Sequence, residues 1–108
     1  MTTLPTKILI DAARAQAQAK GLVMTFIHQG DRDSGQILLQ FFDSLAQKSQ
    51  LARRERNWET GDFDWVPVKA GSALDQEEAG KYIERAIKID PDIWVIEIEG
   101  SPNENPFA

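Results

Sequence analysis

The only histidine of the chain, His28, lies in the polar stretch HQGDRDSGQ, residues 28–36. Together with Asp31 and Asp33 it offers an imidazole and two carboxylates, the usual ligands of borderline and hard metal ions. Their spacing matches no established metal motif. Asp, Ser and Gly also favour turns, because short polar side chains accept hydrogen bonds from nearby backbone amides and glycine adopts unusual φ angles. The stretch predicts a turn first, and a metal or small-ligand site as the alternative.

A phosphate-binding loop is a further interpretation, because Arg32 and the two glycines of this stretch offer a cation and backbone amides to an anion. Such loops normally join a strand to the N-terminus of a helix. Here apolar runs at residues 22–29 and 36–43 lie on either side, and both are typical of strands. This order disfavours the phosphate loop.

A second set of candidate residues is RRERNW, residues 53–58. Alternation along a strand places Arg54, Arg56 and Trp58 on one face. Guanidinium groups beside an aromatic plane stack on bases or bind phosphates. The net charge of the chain is -5, and an acidic domain repels the nucleic-acid backbone, so the charge argues against nucleic acid as a partner. A solvated sheet face, with arginine stems packed over a tryptophan, is the alternative.

Length and composition restrict the function classes. The chain has 108 residues, 42% hydrophobic and 27% charged, which indicates one ordinary globular domain. It contains no cysteine, which excludes disulfides, thiolate catalysis and cysteine-bound metals. No apolar run approaches the roughly 20 residues needed to cross a bilayer, and the first residues do not resemble a signal peptide. We therefore expect a cytoplasmic protein without a membrane anchor.

Local patterns predict the elements that position these residues. A run rich in Ala and Gln up to Lys20 predicts a first helix that ends at Gly21. The two apolar runs around HQGDRDSGQ predict an antiparallel hairpin, and Gly61 predicts the turn of a second hairpin that ends at Pro67. Asp75 begins a second amphipathic helix, which Pro91 ends. DIWVIEIEG, residues 92–100, predicts a last strand.

The order of elements is helix, hairpin, hairpin, helix, strand. It predicts a single α+β domain over residues 1–100, with a mostly antiparallel sheet of about five strands and both helices on one face. The tail, residues 101–108, contains two prolines and has no hydrophobic period. We expect it to be disordered.

The turn and the last strand together carry a resemblance to a known family. Gly30, Asp31, Ser34 and Gly35 match a G-D-x-x-[AS]-G turn, and DPDIWVIEIE, residues 90–99, is similar to a D-P-D-L-W-V-I-E-I-E ending. The chain resembles a family of small alphaproteobacterial proteins catalogued as domain of unknown function 1491. The likeness extends over nearly all of residues 8–100. It implies the fold and no activity, ligand or catalytic residue.

These patterns favour a non-enzymatic binding or interaction module. No catalytic set of residues stands out, and no cofactor is predicted. The nearly continuous apolar first hairpin favours a homodimer or a protein partner, and Arg54, Arg56, Trp58 and Trp94 are the candidate interaction residues. The alternatives are a metal-dependent or small-ligand enzyme that uses the turn at residues 28–35, and weak nucleic-acid binding through the arginines.

Overall fold

The computed structural model describes residues 4–108. Two α-helices and six strands follow one another in this part of the chain: α1 (Thr6–Ala19), β1 (Val23–His28), β2 (Ile37–Asp43), β3 (Lys48–Arg56), β4 (Phe63–Pro67), β5 (Leu74–Asp75), α2 (Gln76–Ile89) and β6 (Trp94–Glu99). Short 3-10 turns occupy Val68–Gly71 and Pro102–Glu104. The α+β class and the mostly antiparallel sheet of the sequence analysis are confirmed.

The strands form one open sheet in the order β1-β6-β2-β3-β4, and β5 pairs with the start of β3. The hairpin predicted for β1 and β2 is wrong, because β6 lies between them, antiparallel to β1 and parallel to β2. β6 is apolar on both faces where it begins, and a central position buries both faces and pairs both backbone edges. The second hairpin, β3 with β4, is confirmed, with Gly61 at φ 80° in its turn.

The two helices cover opposite faces of this sheet rather than one face. α1 packs through Ile10 on the face that carries Trp94, Ile96 and Ile98. α2 packs on the other face through Ala79, Ile83 and Ala86. These side chains lie in one cluster with strand residues that point to that face: Leu38, Leu51 and Val95. Successive strand residues point to opposite faces, so a strand that is apolar at consecutive positions needs a cover on each side.

Both helices begin and end close to where the sequence predicts. Gly21 follows α1 with φ 71°, a left-handed conformation that glycine adopts without strain. Asp75 caps α2 by accepting a hydrogen bond from the Glu78 amide at 2.8 Å, and this bond is the main reason why the pKa of Asp75 lies below its usual value. Within residues 4–108, neither helix is long and apolar enough to cross a membrane.

The C-terminal residues pack against the sheet in place of the disorder expected for them. Asn105 and Pro106 are buried, and the ring centroid of Phe107 lies 5.2 Å from that of Trp65. The Glu104 side chain accepts a hydrogen bond from the Ser101 amide, which stabilises the turn that leads there. Because α1 covers only part of its face, the apolar surface over β3 and β4 is available to this segment.

Candidate functional site

The stretch GDRDSG forms the turn that the sequence predicts. The Asp31 carboxylate accepts hydrogen bonds from the Asp33 amide at 3.1 Å and from the amide and hydroxyl of Ser34 at 2.9 and 3.1 Å. These three bonds favour the ionised carboxylate, with the Ser34 amide contributing most, and hold the pKa of Asp31 below its usual value. The carboxylate is therefore engaged within its own turn.

The turn is joined to the chain just before β6, and we call this junction the clasp, residues 28–35 with residues 90–94. The Asp31 amide donates to the Asp92 carbonyl at 2.9 Å, and the indole Nε1 of Trp94 donates to the Asp31 carbonyl at 2.7 Å. His28 Nδ1 lies 2.7 Å from the Ile93 carbonyl oxygen. Since a carbonyl only accepts, Nδ1 carries the proton in this bond.

The turn needs glycine at both positions because the backbone carbonyl of Asp92 approaches them closely. A Cβ atom on Gly30 would lie 2.1 Å from the Asp92 carbonyl oxygen, and one on Gly35 would lie 2.6 Å from the same atom. Neither glycine has a positive φ, so the unusual φ angles that we expected of them are not the reason for their presence. The two family motifs, the turn and the D-P-D ending, are two sides of one packed junction.

The clasp also holds the N-terminus of α1. The amides of Thr6 and Lys7 donate to the carbonyls of Asp33 and Arg32 at 3.1 and 2.8 Å. The first amides of a helix are the groups that bind an anion at a helix N-terminus. Because the turn's own carbonyls accept these hydrogen bonds, the arrangement holds the helix in place and leaves these two amides no role in a phosphate cradle.

The proposed metal ligands are not brought together by this geometry. His28 contacts the backbone before β6, while the carboxylate of Asp31 faces the amides of Asp33 and Ser34. In the described part of the chain, residues 4–108, no three His, Asp or Glu side chains are close enough to hold a metal ion. The turn explains the contacts of the Asp31 carboxylate, and the clasp explains those of the Asp31 backbone and of the His28 ring.

The second candidate set lies at one end of the sheet, where β3 and β4 project beyond their neighbours. The last β3 residue paired with β2 is Arg53, opposite Leu38, whereas pairing with β4 continues to Arg56, opposite Phe63. β2 begins at Ile37, opposite Arg54 in this register, so Glu55 and Arg56 have no β2 residue beside them. A notch results next to this two-stranded ribbon.

Strand alternation places the arginines as expected, and the structure adds an aromatic ring beneath them. The guanidinium carbon of Arg54 lies 3.6 Å from the centroid of the Phe63 ring, and that of Arg56 lies 5.1 Å from it. Arg56 also lies 5.7 Å from the ring of Trp58, whose side chain is 86% exposed. Two cations thus share one ring beside an exposed indole.

The surroundings of Arg54 are unfavourable for its charge. Partial burial, and to a lesser extent the charge of Arg56, lower the pKa of Arg54 below its usual value. Within residues 4–108, no carboxylate lies at ion-pair distance from the Arg54 guanidinium. Arg53 points to the opposite face and donates to the Tyr82 hydroxyl at 3.3 Å.

The notch has a volume of about 620 Å³ and is mainly polar. Its lining consists of Gln36, Arg53, Arg54, Glu55, Arg56, Trp58, Phe63 and Asp90. Sequence reasoning missed three of these residues. The register of the β3–β4 hairpin was the signal for Phe63, whereas Gln36 and Asp90 reach the notch only through the packing of β2 and α2 beside β3.

Trp94, the fourth candidate interaction residue, lies in the core. Its side chain is only 2% exposed, its ring packs edge-on against Phe26 at 6.1 Å, and its indole N–H donates within the clasp. Of the four candidate interaction residues, the structure brings Arg54, Arg56 and Trp58 together and places Trp94 in the core.

The fold and the clasp define a class of small α+β proteins: an open six-stranded sheet with one helix on each face and a glycine-dependent junction in front of its central strand. The sequence model described as "Protein of unknown function (DUF1491)" matches residues 4–108, and the chain belongs to that family. The family resemblance drawn from the turn and the ending is thereby confirmed. No curated protein matches the chain significantly.

Solved structures of relatives have the same fold. The crystal structure of a DUF1491 family protein from Caulobacter crescentus CB15 is 30% identical, with a TM-score of 0.80 over 98% of this chain and 95% of that one. An NMR structure of a DUF1491 family protein from the same organism has a TM-score of 0.78 at 30% identity, over 98% and 94% of the two chains. Protein Atu0922 from A. tumefaciens, at 18% identity, shares the fold, with a TM-score of 0.74 over 97% and 92%.

Proposed function

We propose that this protein is a non-enzymatic binding module that holds a small anionic ligand in the notch beside Arg54 and Arg56. One observation supports the proposal most strongly: two guanidinium groups lie over the single ring of Phe63. Like charges at this distance repel one another, and partial burial deprives Arg54 of some of its hydration. An anion bound beside Arg54 would offset both costs for this side chain.

The charge of the whole chain favours a small ligand over a polymer. The net charge is -5, and the lining of the notch combines three arginines with two carboxylates. A nucleic-acid strand would place further phosphates against an acidic surface, which opposes binding. A ligand with one anionic group meets only the local field of the notch.

Calorimetric titration of the full chain with pyrophosphate tests the proposal. Arg54→Gln removes one cation from the notch, and Arg85→Gln removes one from the exposed surface of α2 as a matched control. Charge-assisted hydrogen bonds contribute about 1.5–3 kcal/mol, so the notch variant is expected to bind about tenfold more weakly or worse. Pyrophosphate that does not bind, or binds both variants like the unchanged chain, would refute the proposal.

Self-association is a second candidate, favoured by the outer edge of β1. This strand ends the sheet, contains no charged residue or proline, and exposes 57% of Val23 and 46% of Ile27. Edge strands without charges or prolines invite pairing with another strand, and two copies of β1 face no charge repulsion within the strand itself. We propose an antiparallel β1–β1 contact between two chains as its form.

Light scattering at increasing protein concentration tests this second candidate. A dimer that Thr25→Lys dissociates, while Thr60→Lys in the remote β3–β4 turn leaves it intact, would support pairing through β1. A strictly monomeric chain at all concentrations would overturn it.

A cytoplasmic location belongs to the same proposal, because both candidate activities need only soluble partners. It was expected from the sequence alone. Fractionation of cells that express a tagged chain tests it, and recovery in the membrane or secreted fraction would contradict it.

A further inference from the structure

The two sides of the notch differ in polarity, and this difference specifies a ligand. We infer that the notch binds a ribonucleotide, with its phosphate at Arg54 and Arg56, its base on Trp58 and its ribose hydroxyls at Asp90. The inference rests on the proposed anion-binding function. It goes further in assigning a role to the uncharged parts of the ligand and to Asp90, one of the two carboxylates that line the notch.

The arginine side accommodates the phosphate. Both guanidinium groups lie over Phe63 on the β3–β4 ribbon, so the two cations are held side by side before a ligand arrives. A guanidinium forms two parallel hydrogen bonds to phosphate oxygens, and arginine is favoured where such recognition occurs.

The opposite side accepts hydrogen bonds instead of donating them. Asp90 lines the notch at the C-terminal end of α2, where unpaired helix carbonyls add negative potential. Its Oδ1 accepts a hydrogen bond from the Asp92 amide at 3.1 Å, and in residues 4–108 its Oδ2 accepts none. A phosphate is repelled here, whereas a hydroxyl group donates to the free oxygen. Carboxylates recognise ribose hydroxyls in this way in dinucleotide-binding proteins.

An aromatic surface for a base completes the set. Trp58 is 86% exposed although a tryptophan buries a large apolar area when it is packed, so its exposure is costly in the free protein. Stacking of a base on such a ring contributes on the order of tenfold or more in affinity and tolerates any base. The side-chain amide of Gln36, just before β2, offers both a donor and an acceptor to a base edge.

The size of the notch agrees with one nucleotide. Its volume of about 620 Å³ lies within the range of about 300–1,000 Å³ that small-molecule pockets have. Sugar phosphates share the hydroxyl and phosphate groups but lack the base, and single-stranded nucleic acid carries further phosphates. Both are therefore comparison ligands for the test.

Calorimetric titration of the full chain with ADP, its 2′-deoxy analogue, ribose 5-phosphate and a single-stranded RNA pentamer tests the inference. We expect ADP to bind about tenfold more tightly than the deoxy analogue, the ratio for one hydrogen bond to a charged group. Asp90→Asn keeps an oxygen for the Asp92 amide but removes the charge, and is expected to abolish that ratio. Asp92→Asn is the matched control, because Asp92 is an exposed carboxylate two residues further along the chain and does not line the notch. This variant is expected to preserve the ratio.

The outcomes separate this inference from the proposed function. Equal binding of ADP and its deoxy analogue, with both lost in Arg54→Gln, would overturn the ribonucleotide assignment and leave the anion site intact. Ribose 5-phosphate that binds as tightly as ADP would exclude stacking on Trp58, and RNA that binds most tightly would replace the mononucleotide with a polymer. If none of these ligands and no pyrophosphate binds, both proposals fail together.

Discussion

Gly30→Ala is the substitution that most directly perturbs the clasp. The new Cβ would lie 2.1 Å from the Asp92 carbonyl oxygen, and real Cβ atoms essentially never approach a heavy atom closer than 3.0 Å. The two segments must therefore separate by roughly the difference, about 0.9 Å. Backbone lies on both sides, so no flexible side chain can move aside to absorb this displacement.

The cost follows from the hydrogen bonds at the junction. A separation of this size breaks the 2.9 Å bond from the Asp31 amide to Asp92 and strains those of Trp94 and His28. Each contributes about 1 kcal/mol, so the free energy of unfolding should fall by about 1–3 kcal/mol. For a domain of this length each kcal/mol corresponds to about 4 °C, which predicts a midpoint lower by roughly 4–12 °C.

Thermal unfolding followed by circular dichroism measures this change, and Gly80→Ala is its control. A Cβ on Gly80 meets no heavy atom within 4 Å, and the residue lies in the interior of α2. Alanine there should raise stability by about 0.5–1 kcal/mol, because glycine loses more backbone entropy in a helix. If Gly30→Ala unfolds at the same temperature as the unchanged chain, the clasp does not have the role argued for it.

Three further predictions concern other parts of the fold. Asp31→Asn should lower stability at neutral pH. Because the folded-state pKa of Asp31 is depressed, the stability that its carboxylate contributes is present above pH 3.8 and is lost as pH falls through the folded-state pKa. The plots of stability against pH for the variant and the unchanged chain should therefore converge in acid, and parallel plots would contradict this. Phe107→Ala should cost about 1–2 kcal/mol and shift tryptophan emission to the red by exposing Trp65, and an unchanged spectrum would argue against the packed C-terminus. Ala70→Gly should stabilise the folded chain by about 0.5 kcal/mol in chemical denaturation, because φ is 56° at this alanine and relief of the left-handed strain outweighs the added entropy of the unfolded chain. Ala73→Gly is the control and should lose stability, and an equal loss of stability in Ala70→Gly would refute the prediction.

The class of fold could be predicted from the sequence because local patterns determine it. Helix-forming runs that end at Gly21 and Pro91, and apolar runs of strand length, need no knowledge of the rest of the chain. The order of strands does not follow from such patterns. β1 and β2 are adjacent in sequence and equally apolar, and only the insertion of β6 between them, a contact over about 70 residues of chain, decides their pairing.

In the candidate sites, too, local patterns predict some features, while others depend on contacts between distant segments. Alternation along β3 was sufficient to place Arg54 and Arg56 on one face, because it is a property of one strand. Asp90, however, was interpreted only as the end of a helix, and its place beside the arginines depends on how α2 crosses the sheet. The glycines of the turn were assigned to backbone φ because the carbonyl that approaches them belongs to a distant segment.

The notch as a ligand site is the central claim, and NMR titration of the labelled chain with ADP tests it most directly. The account predicts that amide shifts change in residues 53–58, at Phe63 and at Asp90, and that the indole N–H of exposed Trp58 moves while that of buried Trp94 stays in place. Changes that centre on α1 or on the outer edge of β1, or a spectrum that ADP leaves unaltered, would contradict it.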